Sequence, residues 1–385
     1  MKMKSLKNLK LFIVIILFSM LYKPLKAQTK LSPNAKVSII TIGPGKELYS
    51  SFGHSGLWVS DANYGIDRFY SWGSFDFRTN NFYVKFLRGT LPYQIDVIDF
   101  ARVSYYYSTQ ENRSVTEQVL DLSPSQKQRI FDLCEENYLP QNREYNYKFY
   151  YNNCATKVRD MLQKGCGDSL KLWQGMPTNS YRTWMNSYLS EKPWARMAMN
   201  MAVGVPADMQ NTSNQSMWLP DNVQMVMSKS MLGSKQLVGV TNKIYTATVE
   251  PSNLLIDILT HPQVVINLFY ILIFVYLYKK SRFIPTKIDA YLLGFNGLCG
   301  VFLLLLWVGT DHGVTAQNLH LSVLLPFNLI VAFMLRNQKY ASFLKLYFWV
   351  IMAGVLAFIL FHPSHSVPMM AYVFYLFRYR DFVKG

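Results

Sequence analysis

From Val264 onward the chain carries five apolar runs: Val264 to Tyr278, Ile288 to Trp307, Leu319 to Leu335, Phe343 to Phe361 and Val367 to Phe377. Few architectures accommodate that much apolar length. A bilayer core takes about 20 residues of helix to cross, and most of these runs reach or approach that length. The first and last are the shortest. Between them the basic residues form three clusters, Lys279-Lys280-Arg282-Lys287, Arg336-Lys339-Lys345 and Arg378-Arg380-Lys384. The clusters fall at alternate ends of the runs, so the positive-inside rule assigns all three to the cytoplasm. The reading is five membrane helices, with the preceding chain on the opposite face.

The other end agrees. Lys2, Lys4, Lys7 and Lys10 precede the apolar run Leu11 to Tyr22, and Leu25-Lys26-Ala27 stands before Gln28, the pattern of a secretory signal. An uncleaved anchor would export the same residues. Residues 1–27 are therefore read as a signal peptide, 28–258 as a periplasmic domain and 259–385 as a membrane domain. The net charge of +16 at first suggests an anionic partner such as nucleic acid. Its distribution argues otherwise. Six Lys and no acid lie in residues 1–27, ten Lys/Arg and three Asp follow His261, and the middle is close to neutral. The excess is membrane topology, and little supports nucleic-acid binding.

The exported part reads as α+β. A β-branched strand runs from Lys36 to Thr41, Gly43-Pro44-Gly45 is a turn signal, and a second strand begins at His54 and pairs with Asp67 to Gly73. Ser114 to Leu122 alternates like a strand. Ser123-Pro124-Ser125-Gln126 has the capping-box pattern with Pro at the first helical position, opening a helix to about Asn137. An aromatic, strand-like run, Tyr145 to Tyr151, then gives way to Asn152, Asn153 and Cys154. Val158, Met161 and Leu162 recur at helical spacing, with an asparagine as N-cap and Gly165 as the stop. Phe82 to Tyr107 resists division. Gly204 to Asp208 and Trp218 to Asp221 are loop landmarks.

That arrangement places the Cys154 thiol at a helix N-terminus, where the macrodipole and free N–H groups favour thiolate. His54 is the sole histidine of the exported part; His261, His312, His320, His362 and His365 lie in the membrane part. A cysteine nucleophile needs an adjacent base and a third group to orient it. His54 is the only available base, and Glu47, Ser71 and Asp76 are the candidate orienting groups. Asn153 and the Cys154 backbone N–H are candidates for an oxyanion site. Cys134 falls mid-helix and Cys166 follows the helix stop; if these two pair, Cys154 is the thiol left over. A buried structural cysteine and a satisfied sheet histidine are the plainer readings of Cys154 and His54. No metal site is indicated, since only one histidine lies near the cysteines and no CxxC occurs. No nucleotide-binding loop and no cofactor motif is present.

Three stretches carry a resemblance: Gly45 to Ser55, Tyr70-Ser71-Trp72-Gly73-Ser74-Phe75-Asp76-Phe77, and Tyr151-Asn152-Asn153-Cys154-Ala155-Thr156-Lys157. Together they resemble the Lnb N-terminal periplasmic domain family, and Thr310-Asp311-His312 with Asn318 resembles the motif of that family's membrane region. Ala155 and Lys157 stand where Thr and Arg are expected. The resemblance implies a circularly permuted papain-like fold of the NlpC/P60 and lecithin:retinol acyltransferase kind, in which the His strand precedes the Cys helix. It also implies a lipoprotein N-acyltransferase of the bacterial inner membrane. Cys154 would take an acyl chain from a membrane phospholipid as a thioester. The chain would pass to the α-amino group of a diacylglyceryl-cysteine lipoprotein, with His54 removing protons from thiol and amine. Asp311, His312, His362 and His365 are candidate head-group contacts, against the plainer reading of polar loop residues. Two other functions fit the same sequence: a cell-wall peptidase or amidase with the same dyad, and a non-enzymatic envelope scaffold.

Overall fold

The computed structural model describes residues 29–248, 254–281, 284–361 and 369–384. The predicted signal peptide, Arg282, His362 and His365 lie outside them. The exported part is built on a seven-stranded antiparallel sheet: β1 (Lys36–Ile42), β2 (His54–Asp61), β3 (Ile66–Ser74), β4 (Pro92–Ile98), β5 (Val115–Leu120), β6 (Glu144–Asn146) and β7 (Val238–Tyr245). Their spatial order is β7-β5-β1-β2-β3-β4-β6. β1 reads Val-Ser-Ile-Ile-Thr-Ile after its lysine and is buried along that length, as a central strand covered on both faces must be. Ile42 pairs with His54 and Gly56 with Ser71, so the register carries His54 and Ser71 to the same end of the sheet. Gly53 adopts φ +75°, and a Cβ there would stand 2.8 Å from the Ile42 carbonyl oxygen. Only glycine turns the chain into β2 at that point.

Two helices, α2 (Pro124–Tyr138) and α3 (Cys154–Cys166), cover one face; a shorter α1 (Phe82–Arg88) precedes β4. Ser123 and Gln126 form the expected capping box. Asn153 and Thr156 form a second one at the start of α3. The main core packs Val37, Ile39, Leu57, Val59, Tyr70 and Trp72 against Ile130, Phe131, Val158 and Leu162. Each fully buried aliphatic side chain there contributes about 1.5–3 kcal/mol. Gly165 is not the helix stop: a Cβ there would meet Ile130 Cγ1 at 2.2 Å, so it is the point where α3 presses on α2, and Gly167 at φ +59° ends the helix. Only residues 144–146 of the aromatic run form a strand; Phe149 to Tyr151 turn instead into the helix cap. Cys134 and Cys166 do not pair; both are free and buried.

A second cluster, with Phe52, Tyr150, Tyr181, Met185, Trp218 and Leu219, also takes in Val314 from the membrane part. Arg182 organises it. Its guanidinium donates to both Asp208 carboxylate oxygens at 2.6 and 3.1 Å, to the Asn200 carbonyl and to the carbonyls of Val203 and Gly204. The loop so held docks on residues 310–318: the Gly204 N–H donates to the Val314 carbonyl at 2.9 Å, and Asn318 Nδ2 to the Met201 carbonyl at 2.7 Å. A Cβ on Gly204 would fall 1.7 Å from the Ala316 oxygen.

Three helices among the described residues are long and apolar enough to cross a membrane: Pro262–Lys280, Lys287–Val308 and Gln338–Phe361. The other two predicted spans differ. Leu319 to Leu335 is not one helix but a turn at Leu319–Ser322 and a seven-residue helix, Asn328–Met334. Pro326 lies between them and denies the ladder its N–H donor. The last run falls on Met369–Lys384, sixteen residues long. Arg378, assigned from sequence to a cytoplasmic cluster, is buried there in a bidentate pair with Asp289 at 2.7 and 2.8 Å.

Candidate active site

His54 is the first residue of β2 and Cys154 the first of α3, and the local sequence dictates both positions. Gly53 starts the strand, and the Asn153 side chain, accepting from the Thr156 N–H at 3.0 Å, starts the helix. By strand alternation His54 belongs to the face of Trp58, while α3 lies on the face of Leu57. His54, Ser71 and Cys154 nevertheless line one cavity of about 710 Å³. That volume falls within the range of small-molecule sites, about 300–1,000 Å³.

His54 Nε2 and Ser71 Oγ are 2.8 Å apart. With Nε2–H donating to the hydroxyl, Nδ1 is left as the basic nitrogen. Burial, and then the Arg113 guanidinium, push the imidazole down to about 3, so it is neutral at any physiological pH. The backbone N–H groups of Ser55, Ala155 and Cys154 itself favour the Cys154 thiolate. These lower its pKa, but burial outweighs them and the thiol sits above its ordinary 9.0. The expected thiolate is therefore corrected: the resting pair is a neutral thiol and a neutral imidazole, because desolvation exceeds the dipole of one helix end. With the thiol pKa raised by burial, the protonated form predominates at neutral pH. Alkylation of Cys154 by a maleimide should be slow at pH 7 and still climbing beyond pH 9. An inflection between pH 5 and 7 would contradict this electrostatic picture.

The structure separates the other sequence-predicted residues. Of the three candidate orienting groups, only Ser71 touches the imidazole. Glu47 is exposed on the turn Leu48–Ser50, where its backbone carbonyl accepts from the Ser50 and Ser51 hydroxyls. Asp76 is exposed and forked onto Arg78. Asn153 is no oxyanion donor: its amide gives both hydrogens away, to the Phe149 and Trp218 carbonyls at 2.8 Å each. The backbone N–H groups around the sulfur are the donors that remain. Asp311 and His312 are committed to protein partners. Asp311 pairs with Lys148 and His312 Nε2 lies 3.0 Å from the Leu87 carbonyl, although the His312 ring also reaches the cavity wall.

Sequence reasoning missed Arg113 and Tyr107. Arg113 is 3% exposed, donates through Nε to the Gly43 carbonyl and through Nη1 to Glu111, both at 2.8 Å, and lies 4.8 Å from the Tyr107 ring centroid. Its Nη2 is buried without a hydrogen-bond partner among the described residues. Tyr107 lies in a five-residue π-helical turn, Tyr106–Gln110, a distortion common at functional sites. The only local signals were the undivided aromatic stretch before it and a buried-type arginine ahead of a strand.

A mixed α/β part joined to helices long and apolar enough to cross a membrane defines a membrane-anchored protein, with His54 and Cys154 lining one cavity. Residues 23–187 match the Lnb N-terminal periplasmic domain and residues 256–378 the Lnb transmembrane domain. The chain belongs to the Lnb family and is a membrane protein with a periplasmic domain. No curated protein and no solved structure matches it.

Proposed function

We propose that the protein is a lipoprotein N-acyltransferase of the bacterial inner membrane, with Cys154 as nucleophile and His54 as base. The observation that supports this best is the single cavity shared by His54 and Cys154, whose apolar wall runs through Phe75, Phe77, Phe86 and Leu91 to His312 of the membrane part. A cell-wall peptide would leave that wall unused.

As sulfur attacks the ester carbonyl carbon of a phospholipid, His54 Nδ1 takes the thiol proton. The N–H groups of Ser55, Cys154 and Ala155 receive the oxyanion. The ester C–O bond then breaks, the imidazolium returns the proton to the glycerol oxygen, and a lysophospholipid leaves. In the second half the free α-amine of a diacylglyceryl-cysteine lipoprotein attacks the thioester. His54 takes the amine proton and gives it to the departing sulfur, which restores the neutral thiol. Ser71 holds the imidazole in the required tautomer throughout. Arg113 beside the ring opposes a second, resting protonation.

Incubation of the purified full-length protein with phospholipid vesicles should add one fatty-acyl mass to the peptide containing Cys154. Addition of a diacylated lipopeptide should discharge it. A chain that never gains this mass under turnover conditions would sink the proposal.

A further inference from the structure

The helix α1 has seven residues, none of them buried, and a helix so short does not persist in water on its own. Its sequence, Phe-Tyr-Val-Lys-Phe-Leu-Arg, and the preceding Phe75 and Phe77 make a continuous aromatic ladder. Ring centroids are 5.0 Å apart for Phe75–Phe77, 4.9 Å for Phe77–Phe82 and 6.2 Å for Phe82–Phe86. The ladder presents outward. Phe77 is 71% exposed and Tyr83 77% exposed, while Phe75, Phe77 and Phe86 simultaneously line the cavity of Cys154. One surface therefore faces the outside and the catalytic cavity at once.

Its position in the molecule identifies what covers it. The carbonyls of Leu87 and Arg88 are bonded to His312 and to the Asp311 N–H. Asp311 is three residues past Val308, the end of a 22-residue candidate span, so α1 is anchored within about 10 Å of chain from the end of that span. Gly89, at φ +67°, permits this contact, since a Cβ there would stand 2.9 Å from His312 Nδ1. A second apolar helix, Leu254–Thr260, leads into the first span, with Leu254 73% exposed, and Trp194 donates to the Thr260 carbonyl beside it. Arg78, Lys85 and Arg88 flank the ladder, the charge that suits anionic lipid head groups.

We propose that Phe75, Phe77, Phe82 and Phe86 form a lipid threshold: the ladder is immersed in the outer leaflet and passes acyl chains sideways from the bilayer into the cavity of Cys154. The proposal rests on the acyl-transfer reading for the fate of the chain, but not for its presence. The chain enters tail-last, its ester leading toward the thiol and its tail trailing over Phe86 and Phe77 into the leaflet.

The full-length protein in phosphatidylethanolamine–phosphatidylglycerol vesicles, carrying the photo-crosslinker p-benzoylphenylalanine in place of Phe77 or of Tyr83, tests this. Both positions should yield lipid adducts on illumination, read by mass spectrometry. Tyr64, at the far tip of the β2–β3 hairpin, should yield none. Adducts from a probe at Phe269, in the first span, with none at 77 and 83, would overturn the proposal, as would equal labelling at 64. As a second measurement, Phe77→Asp should slow Cys154 acylation from vesicles at least tenfold more than from detergent micelles; an equal effect on both would also overturn it. Lipid adducts from the probe at 77, together with a wild-type chain that never acylates Cys154, would sink the acyltransferase reading and leave the threshold standing.

Discussion

Cys154→Ala should restore no N-acylation to a strain lacking the gene, so that its lipoproteins keep free amino termini by mass spectrometry. His54→Ala should lower the rate of thioester formation by about 10²–10⁴-fold, the range of a general base. The larger end is expected because the thiol is held protonated: burial raises it above 9.0 and leaves almost no thiolate to react unaided. The sign of the pH response follows. His54 is neutral down to about pH 3, so the wild-type rate should not fall as pH drops from 8 to 5. In His54→Ala the rate should instead rise about tenfold per pH unit up to the thiol's own ionisation. A variant as fast as wild type at pH 7, timed by intact mass, would remove His54 from the chemistry.

Arg182→Met should cost about 3–5 kcal/mol, since it strands Asp208 and several carbonyls behind a buried gap. That corresponds to a fall in melting temperature on the order of 10 °C for a domain of this size. Full-length protein in detergent, followed by tryptophan fluorescence, gives the measurement. Arg182→Lys should recover only part of the loss, because an ammonium cannot fork onto both Asp208 oxygens while reaching Val203 and Gly204. A shift below 2 °C for Arg182→Met would mean that this network contributes little to stability. The loss is expected to reach beyond the exported part, because the carbonyls Arg182 holds belong to the loop that docks on Val314.

What was legible in the sequence was local. The strand opening at His54 and the helix opening at Cys154 were readable because a glycine and an asparagine beside them have few other uses. The capping box at Ser123 was readable for the same reason. Ser71 could not be separated from Glu47 and Asp76, because the choice is made by the pairing of β2 with β3, which brings one hydroxyl alongside the ring. The ionisation of Cys154 was misjudged because the helix end is visible in sequence and the desolvation is not. Asn153 was credited with a free amide that the Phe149 and Trp218 carbonyls consume, and no spacing rule records such distant partners. Hydropathy alone joined Leu319 to Leu335 and passed over Pro326. Arg113 has no motif at all; its place is created where the turn carrying Tyr107 and Glu111 meets Gly43 at the end of β1.

The loop 310–318 grips the exported part twice, at Leu87–Arg88 through Asp311 and His312 and at Met201–Gly204 through Val314 and Asn318. Two separate attachment points remove the swivel that a single tether would allow. Cys154 is therefore held at one fixed height relative to the candidate spans. On the proposed acyl-transfer reading, an acceptor would have to bring its amine to that height, as a protein would while its own lipid tail is rooted in the same leaflet. On that reading, a protein lifted out of the leaflet would pass beyond the reach of Cys154, and modification would have to precede departure.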